Sequence, residues 1–212
     1  MAQESIRPMN RGFIRGTLKR TETFRNHSVL SVITDGSGVK AEIKIIVFDL
    51  SMLDGIKPGD RIDLNCHLEM RRLSVESDFG KGTKNYYEQR VIADIISLSK
   101  RALFYNAPEI MLDDDFNGGY PSDANTFTIV GTLRRIFTPN EGTCTVSVNT
   151  EDNGRRHMIN AACFRRQKDT ATGFDPGSYI VLTGSVVNGK DRPDGSLSEM
   201  FYCKDIAKVL TV

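Results

Sequence analysis

The chain has 212 residues, 39% of them hydrophobic and 26% charged, and a net charge of +1 at pH 7. This composition is typical of a soluble globular protein, and the length allows one domain or two small ones. No apolar run approaches the roughly 18 residues that span a membrane, and residues 1–11 are polar and lack the apolar core of a secretion signal. We therefore expect a cytoplasmic protein.

The charge is unevenly distributed along the chain. Residues 1–100 have a net charge of +3, residues 101–125 one of −4, and residues 126–212 one of +2. The acidic connector contains Asp113-Asp114-Asp115 and Gly118-Gly119 and has the composition of a linker. The predicted organisation is a first domain at residues 1–104, a linker at 105–125 and a second domain at 126–212.

The first block is predicted to consist of five β-strands. The clearest is at residues 61–71, where apolar residues at even positions alternate with polar ones, the pattern of a strand with one buried side. β-Branched and aromatic residues indicate the other four, at residues 13–20, 29–34, 43–48 and 86–98. Residues 50–56 are predicted to hold a short helix. Five strands with a helix between the third and fourth are typical of the Greek-key barrel called the oligonucleotide/oligosaccharide-binding fold (OB-fold).

The second block repeats the landmarks of the first in the same order. Gly16-Thr17-Leu18 corresponds to Gly131-Thr132-Leu133, residues 43–48 to 158–164, Pro58-Gly59 to Pro176-Gly177, and Ala93-Asp94-Ile95 to Lys204-Asp205-Ile206. The four offsets are 115, 116, 118 and 111 residues. We infer an internal duplication, and the predicted fold is all-β, with two tandem five-stranded OB barrels.

Motifs of catalysis and metal binding are absent from the sequence. The four cysteines form no C-x-x-C pair and the three histidines are scattered, so we expect no metal site and predict reduced thiols that pack as small hydrophobic groups. The run Gly80-Lys81-Gly82-Thr83 lacks the spacing of a P-loop, and no G-x-S-x-G occurs. We expect neither a cofactor nor an enzymatic activity.

The order of these segments resembles the single-stranded-DNA-binding (SSB) proteins of bacteria and phages. The corresponding residues of the first block are Gly16-Thr17-Leu18, Val47-Phe48, the run 57–64, Arg71-Arg72 and the run 89–94. Those of the second block are Ala162-Cys163-Phe164 and the run 176–186. The resemblance implies a protein that coats single-stranded DNA in replication, recombination or repair, encoded by a phage or another mobile element.

Three features depart from that family. Its usual members have one OB-fold per chain, whereas two are predicted here, so that a homodimer would supply four. The chain ends Lys208-Val209-Leu210-Thr211-Val212 and lacks the family's acidic tip. It also contains no Trp, so base stacking is expected to fall to Phe and Tyr.

Binding of single strands without sequence preference needs cations along the phosphates and flat side chains against the bases. Both kinds of residue lie together at the predicted strand ends and loops. The predicted contacts of the first barrel are Arg15, Lys19, Phe24, Arg25, Phe48, Arg71, Arg72, Lys81, Lys84, Tyr86, Tyr87 and Arg90. Those of the second barrel are Arg134, Arg135, Phe137, Phe164, Arg165, Arg166, Lys168 and Tyr202.

Several of these residues have an alternative role in the fold. Phe48 and Phe164 end strands, where a Phe often belongs to the core. Strand alternation turns one of Tyr86 and Tyr87 inward, and likewise one of Phe201 and Tyr202. In the alternative interpretation, the paired arginines are solvated residues at strand ends. The loop around Lys81 is then a solvated hairpin that does not contact DNA.

Two hypotheses of function follow. In the first, the protein coats single-stranded DNA without strong sequence preference. In the second, it is an OB-fold subunit that docks other proteins of a replisome or primosome and binds DNA weakly. Asp113-Asp114-Asp115 is interpreted as a solvated linker, or alternatively as a docking site for a replication partner or a competitor of DNA.

Overall fold

The computed structural model describes residues 7–36, 38, 40–76, 83–99, 122–152, 154–191 and 197–209. The first half of this part contains β1 (Met9–Thr23), β2 (Ser28–Thr34), β3 (Ala41–Val47), a 3₁₀ helix (Leu50–Leu53), β4 (Arg61–Glu76) and β5 (Thr83–Leu98). The second half contains β6 (Ala124–Asn140), β7 (Thr143–Asp152), β8 (Arg155–Phe164), α1 (Arg166–Thr172), β9 (Tyr179–Asp191) and β10 (Leu197–Lys208).

The first five strands close into a barrel. β1 pairs with β2 and β4, β2 pairs with β3, and β4 pairs with β5, all antiparallel. The circuit closes where β3 and β5 run parallel, with Ile45 opposite Val91 and Ile46 opposite Ile92. This is the strand order of a five-stranded OB barrel, as the sequence predicts.

Strands β6 to β10 form a second closed circuit with the same pairings. β6 pairs with β7 and β9, β7 with β8, and β9 with β10, all antiparallel, and β8 and β10 close the circuit in parallel. The predicted all-β fold is therefore confirmed. The 3₁₀ helix lies where the first block was predicted to hold a short helix, whereas α1 was not predicted from the sequence.

Apolar residues of the strands fill the interior of each barrel. In β4 the predicted alternation holds, because Ile62, Leu64, Cys66 and Leu68 are all buried. The cysteines are buried free thiols, as predicted. Burial at this scale contributes roughly 25 cal/mol for each Å² of apolar surface, which makes the two cores the main source of stability.

The turn before the fourth strand is built identically in the two barrels. Gly59 N donates to Leu18 O at 2.8 Å, and Gly177 N donates to Leu133 O at 2.7 Å. Both glycines have positive φ, 96° and 90°, a conformation that favours glycine over other residues. The acceptors Leu18 and Leu133 are 115 residues apart in the sequence, and the donors Gly59 and Gly177 are 118 residues apart. Both offsets agree with those of the sequence repeat.

A continuous antiparallel pairing of β1 with β6 joins the barrels, from Met9 opposite Val130 to Arg15 opposite Ala124. Gly12 lies opposite Phe127, and these two residues occupy equivalent positions in their barrels. A local two-fold axis therefore passes through this pair. A Cβ atom on Gly12 would lie 2.1 Å from the Phe127 ring, so the close approach requires glycine.

Reciprocal side-chain bonds strengthen the junction on either side of that axis. Glu199 Oε1 accepts from Lys44 N at 2.9 Å, and Gln89 Oε1 accepts from Asn160 N at 3.0 Å. The amide donors lie at equivalent positions of β3 and β8, and the acceptors Gln89 and Glu199 lie at equivalent positions of β5 and β10. Each barrel therefore donates one bond to the other and accepts one from it.

The structure also corrects details of the predicted strands and of the repeat. β4 extends to Glu76, whereas its predicted end is residue 71, and β5 begins at Thr83, whereas its predicted start is residue 86. Lys204, not Asp205, is the equivalent of Asp94, because each is the residue bulged out of its ladder. The offset there is 110 residues rather than 111. The predicted domain boundaries stay a prediction, since most of residues 105–125 lie outside the described residues.

Candidate nucleic-acid interface

Three rings lie together on the surface of the first barrel, where Phe24 stacks on half-buried His27 and Phe48 lies tilted beside His27 at an angle of 49°. The Phe24 and His27 rings lie 4.9 Å apart and nearly parallel, and the His27 and Phe48 rings lie 6.1 Å apart. The tight turn between β1 and β2 brings the first two together, since Phe24 N donates to His27 O at 2.9 Å. Phe24 and Phe48 are 50% and 53% exposed, which contradicts the core alternative for Phe48.

A second stack lies on the second barrel. The Phe164 and Tyr202 rings lie 4.6 Å apart at an angle of 10°. The parallel pairing of β8 with β10 sets Tyr202 opposite Ala162, close to the end of β8 where Phe164 stands. Phe201 is buried and Tyr202 is 37% exposed, so strand alternation separates this pair as expected. Phe137, at 61% exposure, is a further open ring on β6.

The long β4–β5 hairpin of the first barrel carries a third group of candidates. Arg72 lies opposite Tyr87 in the register, and Tyr87 is 53% exposed. Arg72 Nε donates to Asn85 Oδ1 at 3.0 Å, and Arg71 is exposed. Lys81 lies outside the described residues. Lys84 and Tyr86 belong to β5, but their side chains are not among those described.

Carboxylates hold three of the predicted cations of the first barrel. Arg15 makes a bidentate pair with Asp63, with nitrogen–oxygen distances of 2.7 and 2.8 Å, which keeps the pKa of Asp63 below its ordinary value. Lys19 Nζ lies 2.6 Å from Glu42 Oε2. Arg90 Nη2 lies 2.8 Å from Glu69 Oε2. Exposed Arg25 stands in the β1–β2 turn, with no ion pair in the part of the chain that the structure describes.

The cations of the second barrel are arranged differently. Arg134, Arg135, Arg165 and Arg166 are exposed, and no ion pair joins any of them to a carboxylate among the described residues. Arg135 Nε donates to Ser147 Oγ at 3.4 Å. Lys168 Nζ donates to the Glu141 carbonyl.

Arg165 and its neighbours lie in an unusual local backbone. Arg165 has φ 47°, the one positive φ of a residue other than glycine within the described ranges. It precedes α1 and turns the chain from the end of β8 into the helix. The turn presents consecutive guanidinium groups immediately after the Phe164 ring.

A cavity of about 230 Å³ opens on the outer side of the first barrel near the junction. Its lining includes Phe24, Lys44, Arg90 and Glu199. Burial raises the pKa of Glu199 to about 7, and its Oε2 has no hydrogen-bond partner. An exposed aromatic ring and charged groups therefore meet at this cavity.

The described residues show neither a metal-binding cluster nor an ionised thiol at neutral pH among Cys66 and Cys144. No cluster of three or more metal-ligating side chains occurs there. Burial raises the pKa of Cys144 to about 11 and raises that of Cys66, so both thiols are protonated at neutral pH. In the same part of the chain no helix has the length and apolarity to cross a membrane.

The sequence prediction missed His27 as a site residue. Its one signal is its position, three residues after Phe24 in a predicted turn, since an isolated His is uninformative without the ring that it contacts. It also missed Arg20 and its partner Glu22, and Glu42, which lies beside the predicted cation Lys19. The Asp113-Asp114-Asp115 segment lies outside the described residues.

The fold is shared with solved structures over the length of both barrels. The wild-type single-stranded DNA binding protein from Thermus aquaticus superposes with a TM-score of 0.61 and 18% identity, over 97% of this chain and 95% of that one. A deletion mutant of that protein gives a TM-score of 0.59 and 20% identity, over 96% of each chain. No protein-family model matches this chain. No curated protein matches it either.

Proposed function

We propose that this chain is a single-stranded-DNA-binding protein of the SSB type. The observation that carries the proposal is a group of surface rings beside cations on each barrel. Exposed Phe24 and Phe48 flank half-buried His27 near Arg25, and exposed Tyr202 stacks on half-buried Phe164 near Arg165. Each stacked base contributes roughly 1–3 kcal/mol, and aromatic rings accept every base because each has a π-face. The fold shared with the Thermus aquaticus protein supports the same proposal.

The proposed role is to coat single-stranded DNA during replication, recombination or repair. Stacking gives the protein its affinity for unpaired bases, and the arginines bind phosphates without reading the sequence. A cytoplasmic homodimer that presents four barrels is part of the proposal, as is the absence of a chemical step. Sedimentation of the intact chain at micromolar concentration tests the dimer.

An equilibrium titration tests the proposal directly. We expect a fluorescein-labelled oligo-dT to bind tightly at low salt, to dissociate as salt rises, and to be displaced poorly by duplex DNA. A parallel titration with oligo-U measures the preference for DNA over RNA. Failure of oligo-dT to bind at low ionic strength would contradict the proposal.

One observation favours the alternative of a protein-docking subunit with weak DNA binding. In the first barrel, Arg15, Lys19 and Arg90 already have carboxylate partners, which leaves less positive charge for phosphates. Under this alternative oligo-dT affinity is low even at low salt, so the same titration separates the two functions.

A further inference from the structure

The two barrels differ at equivalent positions on one side. The first-barrel wall, defined as the outward groups Lys19, Arg20, Glu22 and Glu42, corresponds to Arg134, Arg135, Phe137 and Met158, the second-barrel wall. The correspondence follows from the shared ladder register, since Arg20 pairs with Ser31 and Arg135 with Ser147, each after a bulge.

Glutamates neutralise the cations of the first-barrel wall. Lys19 Nζ lies 2.6 Å from Glu42 Oε2, and Arg20 Nε lies 3.3 Å from Glu22 Oε1. Lys19 keeps the pKa of Glu42 below its ordinary value, so this carboxylate is charged at neutral pH. A phosphate that approached Lys19 would have to displace an ion already in place.

In the second-barrel wall a serine hydroxyl also accepts a hydrogen bond from the arginine, but the residues equivalent to Glu22 and Glu42 are not acidic. Arg20 Nε donates to Ser31 Oγ at 3.2 Å, and Arg135 Nε donates to Ser147 Oγ at 3.4 Å. At the positions of Glu22 and Glu42 stand Phe137 and Met158. A serine therefore anchors the cation in both barrels, and among the residues that the structure describes an adjacent carboxylate accompanies it only in the first.

The end of the third strand shows the same difference. Phe48 is followed by exposed Asp49, whose carboxylate accepts from Ser51 N at 3.1 Å. The equivalent Phe164 is followed by exposed Arg165. Three acidic positions of the first barrel thus become Phe, Met and Arg in the second, all beside its ring stack or its cations.

We infer that the second-barrel wall, through Arg134 and Arg135, is the principal phosphate-binding surface of the chain, and that Glu22 and Glu42 shield the equivalent wall of the first barrel. The first barrel then holds its stretch of single-stranded DNA chiefly by stacking on Phe24, His27 and Phe48. The inference rests on the proposed function and assigns unequal tasks to the two barrels.

Reciprocal exchanges test the inference. The readout is the salt dependence of oligo-dT affinity, whose logarithmic slope changes by about 0.7 for each phosphate contact on a single strand. Met158→Glu installs the acid of the first barrel beside Arg134, and we expect a several-fold weaker affinity and a slope flatter by about 0.7 or more. Glu42→Met releases Lys19, and we expect a steeper slope by about the same amount.

Two further variants keep the test independent of folding. Arg134 and Lys19 are both exposed, so Arg134→Gln and Lys19→Gln leave the cores intact. We expect Arg134→Gln to flatten the slope and Lys19→Gln to leave it nearly unchanged. Asp205→Asn, at an exposed position of β10 that is not part of the second-barrel wall, is the matched control for a change of charge alone, and we expect wild-type binding.

The outcomes separate the inference from the proposed function. If wild type binds oligo-dT tightly but Lys19→Gln and Arg134→Gln flatten the slope equally, the barrels share phosphate binding and the inference is wrong. If Glu42→Met leaves the slope unchanged, the shielding role is wrong. If wild type does not bind oligo-dT at all, the proposed function itself fails.

Discussion

The ring stack of the first barrel depends on side chains that contribute little to the barrel core. Phe24 and Phe48 each expose about half of their surface, and His27 lies between them. An aromatic surface left open in this way loses little folding energy when it is removed. Binding and folding can therefore be separated by mutation at these positions.

Replacement of Phe24 or Phe48 by Ala is expected to weaken oligo-dT binding by about 1–3 kcal/mol per ring. The thermal midpoint should change little, because both side chains are already half exposed. Anisotropy titrations and thermal melts measure the two effects. Leu98→Ala is a matched control, since Leu98 is 50% exposed and lies at the far end of β5. Wild-type affinity in both Phe variants would refute base stacking at this site.

Glu199 is a buried carboxyl group at the junction between the barrels. It is 4% exposed, Oε1 accepts from Lys44 N, and Oε2 has no partner, so the neutral form is favoured in the folded state. Burial is the main cause of its raised pKa of about 7, and the nearby Glu88 adds to it while Lys44 opposes it. The equivalent residue of the other barrel is Gln89, which is neutral at every pH.

Glu199 should therefore make stability depend on pH. Since its folded pKa is above the unfolded value, its contribution is complete below about pH 4.5 and is lost as pH rises through about 7. We expect Glu199→Gln to raise the free energy of unfolding above pH 7 by up to about 3 kcal/mol and to change little near pH 4.5. Urea unfolding across this range measures it. Parallel pH profiles for the two proteins would contradict the account.

Sequence predicted the exposed Phe and Tyr residues better than it predicted their neighbours. Phe24, Phe137 and Tyr202 were chosen because each accompanies cations in a loop or strand, and all are exposed. His27 was missed because its role comes from a contact that only the turn creates. Alternation, a purely local property, predicted that one of Phe201 and Tyr202 points inward, and the structure shows that it is Phe201.

At the level of the strands, the duplication could be predicted because turns and β-branched runs recur at nearly constant spacing. The fourth landmark was off by one residue because it matched Asp94 to another Asp, whereas the bulge places Lys204 there. A bulged residue leaves the two-residue alternation, so the pattern does not locate it. α1 was missed because its seven residues bury only Ala171 and therefore show no apolar period.

The β1–β6 pairing is expected to be sensitive to the smallest addition at Gly12. A methyl group there would meet the Phe127 ring, and relief of such overpacking typically costs about 1–3 kcal/mol. We therefore expect Gly12→Ala to lower the free energy of unfolding in urea. Gly142→Ala is the control, because its Cβ would meet only Asn140 Oδ1, at 3.6 Å.

A second variant distinguishes a clash from a general loss of strand stability. Phe127→Leu replaces the ring by a smaller side chain. Combined with Gly12→Ala, it should recover part of the lost free energy of unfolding, so that the double-mutant cycle is non-additive. Strictly additive effects would show that Gly12 and Phe127 are not coupled across the junction.

For the whole molecule, a net charge of +1 hides an uneven surface. The sequence predicted two basic blocks but not which cations were already paired. Arg15 meets Asp63 and Lys19 meets Glu42 across 48 and 23 residues of sequence, and only the closed barrel brings them together. The distribution of available charge between the barrels is therefore a tertiary property, which composition and spacing do not contain.

The central claim is that bases stack on the exposed rings of both barrels, and photo-crosslinking tests it most directly. An oligonucleotide carrying 5-iododeoxyuridine is bound to the intact chain, irradiated, and the crosslinked residues are identified by mass spectrometry. We expect crosslinks at Phe24, Phe48, Phe164 and Tyr202, and none at Leu98 or Asp205. Crosslinks that avoid all four rings, or the absence of any crosslink at saturating DNA, would contradict base stacking on these rings.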